Sequence, residues 1–157
     1  MSNPDYALLN SQLRALLDDE TDALASTSNF VALLFNALDD VNWLGVYVLR
    51  GDELKLGPFQ GKPACVRIEL GAGVCGIAAA TRQTQRVADV HDFAGHIVCD
   101  PDSRAEIVVP LVVNGQLLGV LDIDSPTPNR FSASDQAGIE QLCNSFCEIQ
   151  RSRDDFI

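Results

Sequence analysis

Pro110-Leu111-Val112-Val113-Asn114-Gly115-Gln116-Leu117-Leu118-Gly119-Val120-Leu121-Asp122-Ile123 holds two β-forming runs around an Asn-Gly pair. Asn-Gly supplies the two positive-φ positions of a type I′ turn, whose twist matches the strands it joins. The stretch therefore predicts a tight antiparallel hairpin, with residues 105–113 going out and 117–124 coming back. Asp122 and Asp124, two apart on the return strand, share one face. They interrupt an apolar run where a bland strand would carry no acids. Glu106 begins the outgoing strand. The turn sets Val113 opposite Gln116, so an unbroken ladder brings Glu106 to Ile123, with Asp122 and Asp124 as its neighbours across the ladder.

Outward from this hairpin the pattern is mixed. Trp43-Leu44-Gly45-Val46-Tyr47-Val48-Leu49, a turn at Arg50-Gly51-Asp52 and a return through residues 53–59 predict an earlier hairpin. A third strand is expected over 65–69, a short helix over 73–80 after a glycine turn, and a short strand at 86–87. The loop 89–103 is long and polar, a kind that often carries function. Tyr6, Leu9, Leu13, Leu16 and Leu17 recur at helical spacing over 5–17. Leu24, Thr27, Val31, Leu34, Phe35 and Leu38 do so over about 20–38, where Asp18-Asp19-Glu20 suits the turn and the helix start. Ser132-Ala133-Ser134-Asp135 opens a terminal helix to about 151. This order implies one α+β domain over 1–157, a central antiparallel sheet with its helices collected on one face.

The chain has 157 residues, 46% of them hydrophobic, which suits one packed core and neither disorder nor a membrane class. No apolar run approaches the roughly 18–20 residues that span a bilayer. Met1-Ser2-Asn3-Pro4-Asp5 lacks the basic patch and apolar core of a signal peptide, so a cytoplasmic protein is expected. A net charge of −11 repels phosphate backbones, which speaks against nucleic acid and anionic membranes as partners. Five cysteines, an odd number, argue against a structural disulfide framework in a reducing compartment.

Three of those cysteines lie where a thiol can react. Cys65 starts a short extended run, Cys75 sits in the turn Gly71-Ala72-Gly73-Val74-Cys75-Gly76, and Cys99 lies in the loop His96-Ile97-Val98-Cys99-Asp100-Pro101-Asp102. A thiolate that attacks an electrophilic sulfur is left as a sulfenic acid, which a second thiol condenses with to form a disulfide. Cys99 is the candidate nucleophile, with His96 and His91 as cationic neighbours and Asp100 and Asp102 as opposing ones. The alternatives are incidental small residues, or a zinc site on Cys65, Cys75, Cys99 and a histidine, although no Cys-x₂-Cys or His-x₃-His pair is present. Cys143 and Cys147, four apart on the apolar side of the terminal helix with Phe146, read as packing residues.

The acids Glu106, Asp122 and Asp124, gathered at one sheet end, should raise at least one pKa among them by mutual repulsion. A carboxylic acid kept protonated can donate to a leaving oxygen, and the cluster can hold an ammonium group. A solvated sheet end and a metal site are the alternatives; calcium suits three carboxylates, but no EF-hand-like spacing is present. Trp43 and Tyr47 share a face of the first strand and suit either a pocket wall or core. Gly71-x-Gly73-x-x-Gly76 lacks the βαβ context of a dinucleotide fingerprint, and its helix start suits a substrate carboxylate instead.

The hairpin 110–123 resembles the last hairpin of a GAF domain, a small-molecule pocket on a six-stranded sheet, over residues 20–150. Pro-Ala-Cys-Val-Arg-Ile, Gly-Val-Cys-Gly-Ile-Ala-Ala, His-Ile-Val-Cys-Asp and Leu-Asp-Ile-Asp-Ser together resemble the free methionine-(R)-sulfoxide reductases, stand-alone GAF enzymes, over nearly the whole chain. That resemblance implies reduction of free methionine-(R)-sulfoxide. Cys99 matches the attacking cysteine, Cys65 the resolving one that forms a disulfide with it, and Cys75 a third that takes part in recycling. Glu106, Asp122 and Asp124 match the acids that bind substrate and assist loss of its oxygen; Trp43, with Tyr47 beside it, matches the aromatic on the substrate methyl. It further implies a homodimer, no bound cofactor or metal, and thioredoxin as reductant, itself served by NADPH and thioredoxin reductase. A GAF module that binds a ligand or senses redox state without turnover is the alternative.

Overall fold

The computed structural model describes residues 3–151 and 156–157. The remaining residues of the expected 1–157 domain lie outside this description. Two helices come first, α1 (Tyr6–Leu17) and α2 (Ala23–Ala37). Each starts at an aspartate, Asp5 or Asp22, whose side chain accepts from a backbone N–H of the first turn. The second helix thus begins three residues later than its acidic approach suggests, because Asp22 and not Glu20 caps it. Strands β1 (Trp43–Arg50), β2 (Glu53–Gly61) and β3 (Arg67–Glu69) follow, then α3 (Gly73–Thr81), β4 (Gln85–Val87), β5 (Ala105–Val113), β6 (Gln116–Ser125) and α4 (Ala133–Gln150). Ser132 and Asp135 cap α4 reciprocally, as the motif predicts. The third strand is shorter than expected: Cys65 lies before it, in irregular chain.

The six strands form one sheet in the order β3-β2-β1-β6-β5-β4, with antiparallel pairing throughout. Both faces are covered. On one, α1, α2 and α4 bury Leu13, Phe30, Leu34 and Phe146 against Leu44, Val46, Ile107 and Ile123. The expectation of helices collected on one face holds for these three. The short α3 lies on the opposite face, where Val74, Cys75 and Ala78 pack with Trp43, Tyr47, Val108 and Val120. Leu16 and Leu24, counted in the apolar stripes, are 46% and 54% exposed, since each lies at the margin of a stripe narrower than its sequence pattern.

The ladder between β5 and β6 departs from the unbroken register. Val113 faces Gln116 and Val112 faces Leu117, but Leu111 faces Gly119, so Leu118 is an extra residue in β6. Beyond it every pair is displaced by one. Glu106 therefore stands opposite Asp124 and not Ile123. The reason is parity: residues directly across a ladder share a face, so the unbroken register would put Glu106 with Ile123 in the helix-side core.

Phe30 and Phe146 stack with ring centroids 4.3 Å apart in the middle of that core. Phe146→Ala should lower the unfolding free energy by about 3–5 kcal/mol in urea denaturation followed by circular dichroism.

Candidate functional site

The pocket lies on the α3 side of the sheet, and rows of cross-strand neighbours build its floor. Asp124 sits between Trp43 of β1 and Glu106 of β5; Asp122 sits between Gly45 and Val108. Gly45 is required here, since a Cβ would fall 2.5 Å from both the Trp43 ring and Phe59 Cβ. Trp43 stacks between Tyr47 and Phe59, with centroids 5.8 and 5.4 Å away. The start of α3, Gly73 to Cys75, forms one wall, and the loop that carries His96, Ile97 and Cys99 forms another.

The polar ends of the two aromatics reach the chain that carries Cys65. Trp43 Nε1–H donates to the Lys62 carbonyl at 3.1 Å, and the Tyr47 hydroxyl donates to the Cys65 carbonyl at 2.9 Å. Sequence reading left both rings between a pocket wall and the core; they are buried, line the pocket and also fix residues 62–65. Lys62 in turn pairs with Asp102 at 2.9 Å, which ties that segment to the far end of the Cys99 loop. This exposed pair is worth little energetically, but it spans the two segments where the reactive cysteines lie.

Cys65 and Cys99 are joined in a disulfide, with their Cα atoms 5.5 Å apart across 34 residues of sequence. Cys99 lines the pocket, and on the Cys65 side the lining is made by Pro63 and Ala64. Cys75 corrects an expectation. Its glycine-rich setting suggests an exposed thiol, but the residue is only 4% exposed because it falls on the inner side of α3. Burial, then the charges of Asp122 and Glu106, push its pKa well up, so it stays a thiol. Cys143 and Cys147 are buried in the helix-side core, as their spacing predicts.

The histidines are also reassigned. His91 is more than half exposed and lies 3.6 Å from Asp89, outside the pocket. His96 points inward, its Nε2 3.8 Å from Glu106 Oε2. Burial holds its pKa down, so it is a weak cation beside Cys99. Asp100, expected only as a charge opposing Cys99, and Ser103, which sequence reading left without a role, line the pocket as well. Nothing local marks them, since loop closure alone brings them to β6.

Glu106 and Asp122 are each 6% exposed. Burial raises all three carboxyl groups, Asp122 to about 6 and its two neighbours well above the ordinary carboxylate range. Repulsion from the Asp122 charge adds to the effect on Glu106 and Asp124. The site thus holds carboxylic protons beside an anionic neighbour. Hydrogen bonds from Glu106 and the Cys75 thiol hold Asp122 below its two neighbours, so it is the ionised member of the cluster.

A GAF domain model matches residues 12–147. The chain is 56% identical to the free methionine-R-sulfoxide reductase of Escherichia coli (strain K12), over 87% of this chain and 83% of that one. It superposes on fRMsr of Staphylococcus aureus in complex with substrate at a TM-score of 0.90 and 46% identity, covering 95% of this chain and 97% of that one. A free methionine-R-sulfoxide reductase from Neisseria meningitidis, in complex with its substrate, gives a TM-score of 0.88 and 38% identity over 95% and 92% of the two chains. The chain belongs to the GAF domain family and, within it, to the free methionine-R-sulfoxide reductases.

The raised acids set a stability trend. Glu106 keeps its proton in the folded state to a higher pH than in the unfolded chain. Its contribution is therefore complete below about pH 4 and is lost as pH rises through the folded value. Glu106→Gln has no charge to bury. At pH 8 it should be more stable than the natural protein, by on the order of 1 kcal/mol or more, with the difference vanishing toward pH 4. Urea titrations at the two pH values check this.

Proposed function

We propose that the protein reduces free L-methionine-(R)-S-oxide to L-methionine, with Cys99 as the attacking residue. The observation that carries this reading is the bonded pair Cys65–Cys99 beside a cavity floored by Glu106, Asp122 and Asp124. A sulfoxide sulfur is electrophilic only when its oxygen is protonated or strongly hydrogen-bonded. Buried carboxyls with raised pKa values can supply that proton at neutral pH.

The Cys99 thiolate attacks sulfur, and Glu106 or Asp124 hands a proton to the oxygen. The oxygen moves to Cys99 as a sulfenic acid, and methionine leaves with its sulfur reduced. The Cys65 thiol then attacks the sulfenic sulfur, water departs, and the disulfide forms. In this reading Cys75, buried and protonated, takes no part in the first step and serves recycling. Asp122, the ionised member of the cluster, receives the substrate ammonium, and the first N–H groups of α3 receive the carboxylate. Trp43 and Tyr47 supply the apolar wall for the methyl group. Ammonium and carboxylate recognised together exclude a peptide-bound residue.

The second half of the cycle needs a dithiol, and we assign it to thioredoxin, kept reduced by NADPH and thioredoxin reductase. No bound cofactor enters this scheme. Exposed Leu8 and Leu16 of α1 and Leu24 of α2 support a homodimer of single GAF domains. Among the described residues no helix is long and apolar enough to cross a membrane. A reducing cytoplasm is the compartment such a cycle requires.

Purified protein in an NADPH-coupled thioredoxin assay should consume free R-sulfoxide and leave free S-sulfoxide and peptide-bound sulfoxide untouched. Inactivity toward the free R form would return the chain to the ligand-binding modules of its fold. In single turnover, Cys99→Ser should release no methionine. Cys65→Ser should release one equivalent and then stall; sustained turnover by both variants would remove the mechanism. Asp124→Asn should slow the chemical step by about 10²–10⁴ without loss of folding.

A further inference from the structure

The irregular segment between β2 and β3 carries Cys65, and two buried side chains of β1 fasten it from beneath. Trp43 Nε1–H donates to the Lys62 carbonyl at 3.1 Å, and the Tyr47 hydroxyl donates to the Cys65 carbonyl at 2.9 Å. Among the described residues no other hydrogen bond reaches the backbone of residues 62–65. The next carbonyl, that of Val66, accepts from the Leu56 N–H at 2.9 Å. Cys65 is thus held at its own carbonyl and at the one after it. The other half of the disulfide is held differently. Among the described residues the backbone of 97–99 makes no hydrogen bond, and Cys99 is tied by its bond to Cys65.

The Tyr47 hydroxyl has no task in the pocket itself. An apolar wall for a methyl group needs the ring, and a phenylalanine would supply it. Yet the residue is 2% exposed, and a hydroxyl carried that deep is costly unless it is bonded. Burial, then the Asp122 charge, push its pKa far up, so it stays a donor throughout the range in which thiols titrate. Closing a disulfide brings two sulfurs to one place, and a residue that is loose beforehand must be ordered as the bond forms. Ordering one residue's backbone is worth roughly a factor of ten in the equilibrium constant. An anchor on Cys65 meets that requirement before Cys99 arrives.

We infer that Tyr47 is a positioning residue for disulfide closure: through the Cys65 carbonyl, its hydroxyl holds that cysteine where the oxidised Cys99 reaches it. The Cys65 sulfur attacks the Cys99 sulfur and the S–S bond forms as the S–O bond of the sulfenic acid breaks. The hydroxyl leaves with the Cys65 proton as water. Cys65 supplies the electron pair, so no further oxidant enters. The Trp43 indole N–H acts in the same sense at the other end of the segment. The inference rests on the proposed pairing of Cys65 with Cys99 and not on which substrate delivers the oxygen.

Tyr47→Phe keeps the ring and removes the hydroxyl, and the reduction potential of the Cys65–Cys99 pair is the readout. Equilibrated with glutathione buffers in the absence of any sulfoxide, the variant's disulfide should be about tenfold less favoured than in the natural protein. That is a rise in potential of about 30 mV. Trp43→Phe, which removes the other donor, should shift the potential in the same direction, and it stands in if Tyr47→Phe does not fold. Phe59→Leu loosens the same aromatic column and leaves both hydrogen bonds, so it should keep the natural potential. An unchanged potential in Tyr47→Phe, or an equal rise in Phe59→Leu, would overturn the inference. The NADPH-coupled assay reports separately on sulfoxide turnover. An inactive protein whose potential still shifts loses the proposed activity alone, and an active one whose potential does not move loses only this role of Tyr47.

Discussion

A strand has two faces one residue apart, so the β5–β6 ladder must serve both sides of a sheet that is covered on both. Ile107, Val109 and Leu111 with Leu121 and Ile123 feed the helix-side core. Glu106, Asp122 and Asp124 face the pocket on the other side, where Val108 packs under α3. The two sets coexist because Leu118 is inserted near the turn and advances the register by one. Without that step Glu106 would share a face with Ile123, and a carboxyl would lie in the apolar core. The same step brings Glu106 opposite Asp124, so the demand of the core and the crowding of the acids have a single cause.

That crowding is costly, and the fold around it carries the cost. Three carboxyl groups lie close together in one pocket, and among the described residues no arginine or lysine lines it. Their response is to hold protons, the chemistry a sulfoxide oxygen demands. The surrounding order is supplied elsewhere, by the Phe30–Phe146 stack on one side of the sheet and the Tyr47–Trp43–Phe59 column on the other. Trp43 and Tyr47 join the two functions, because their rings pack beneath the pocket while their polar ends fix the Cys65 segment.

Much of this was legible in the chain itself. Asn114-Gly115 marks the hairpin, Ser132 and Asp135 mark the start of α4, and both appear where expected. Cys143 and Cys147 follow helical spacing into the core. The acids are conspicuous because Asp122 and Asp124 break an apolar run. The misreadings share a physical origin. Cys75 was judged by the flexibility of its glycine neighbours, yet burial depends on which side of α3 meets the sheet. His91 and His96 were judged by distance along the sequence, but in an irregular loop five residues carry one to the surface and the other to Glu106.

What the sequence alone determined is what short-range forces decide: turn chemistry, caps, the alternation that assigns strand faces, and the residue types available for sulfur chemistry. Only the tertiary structure decided which of these meet. The contact between Cys65 and Cys99 closes a loop of 34 residues, and the Glu106–Asp124 pairing depends on one inserted leucine far from either acid. Each is a long-range outcome of burying both faces of one sheet, and no local pattern encodes it.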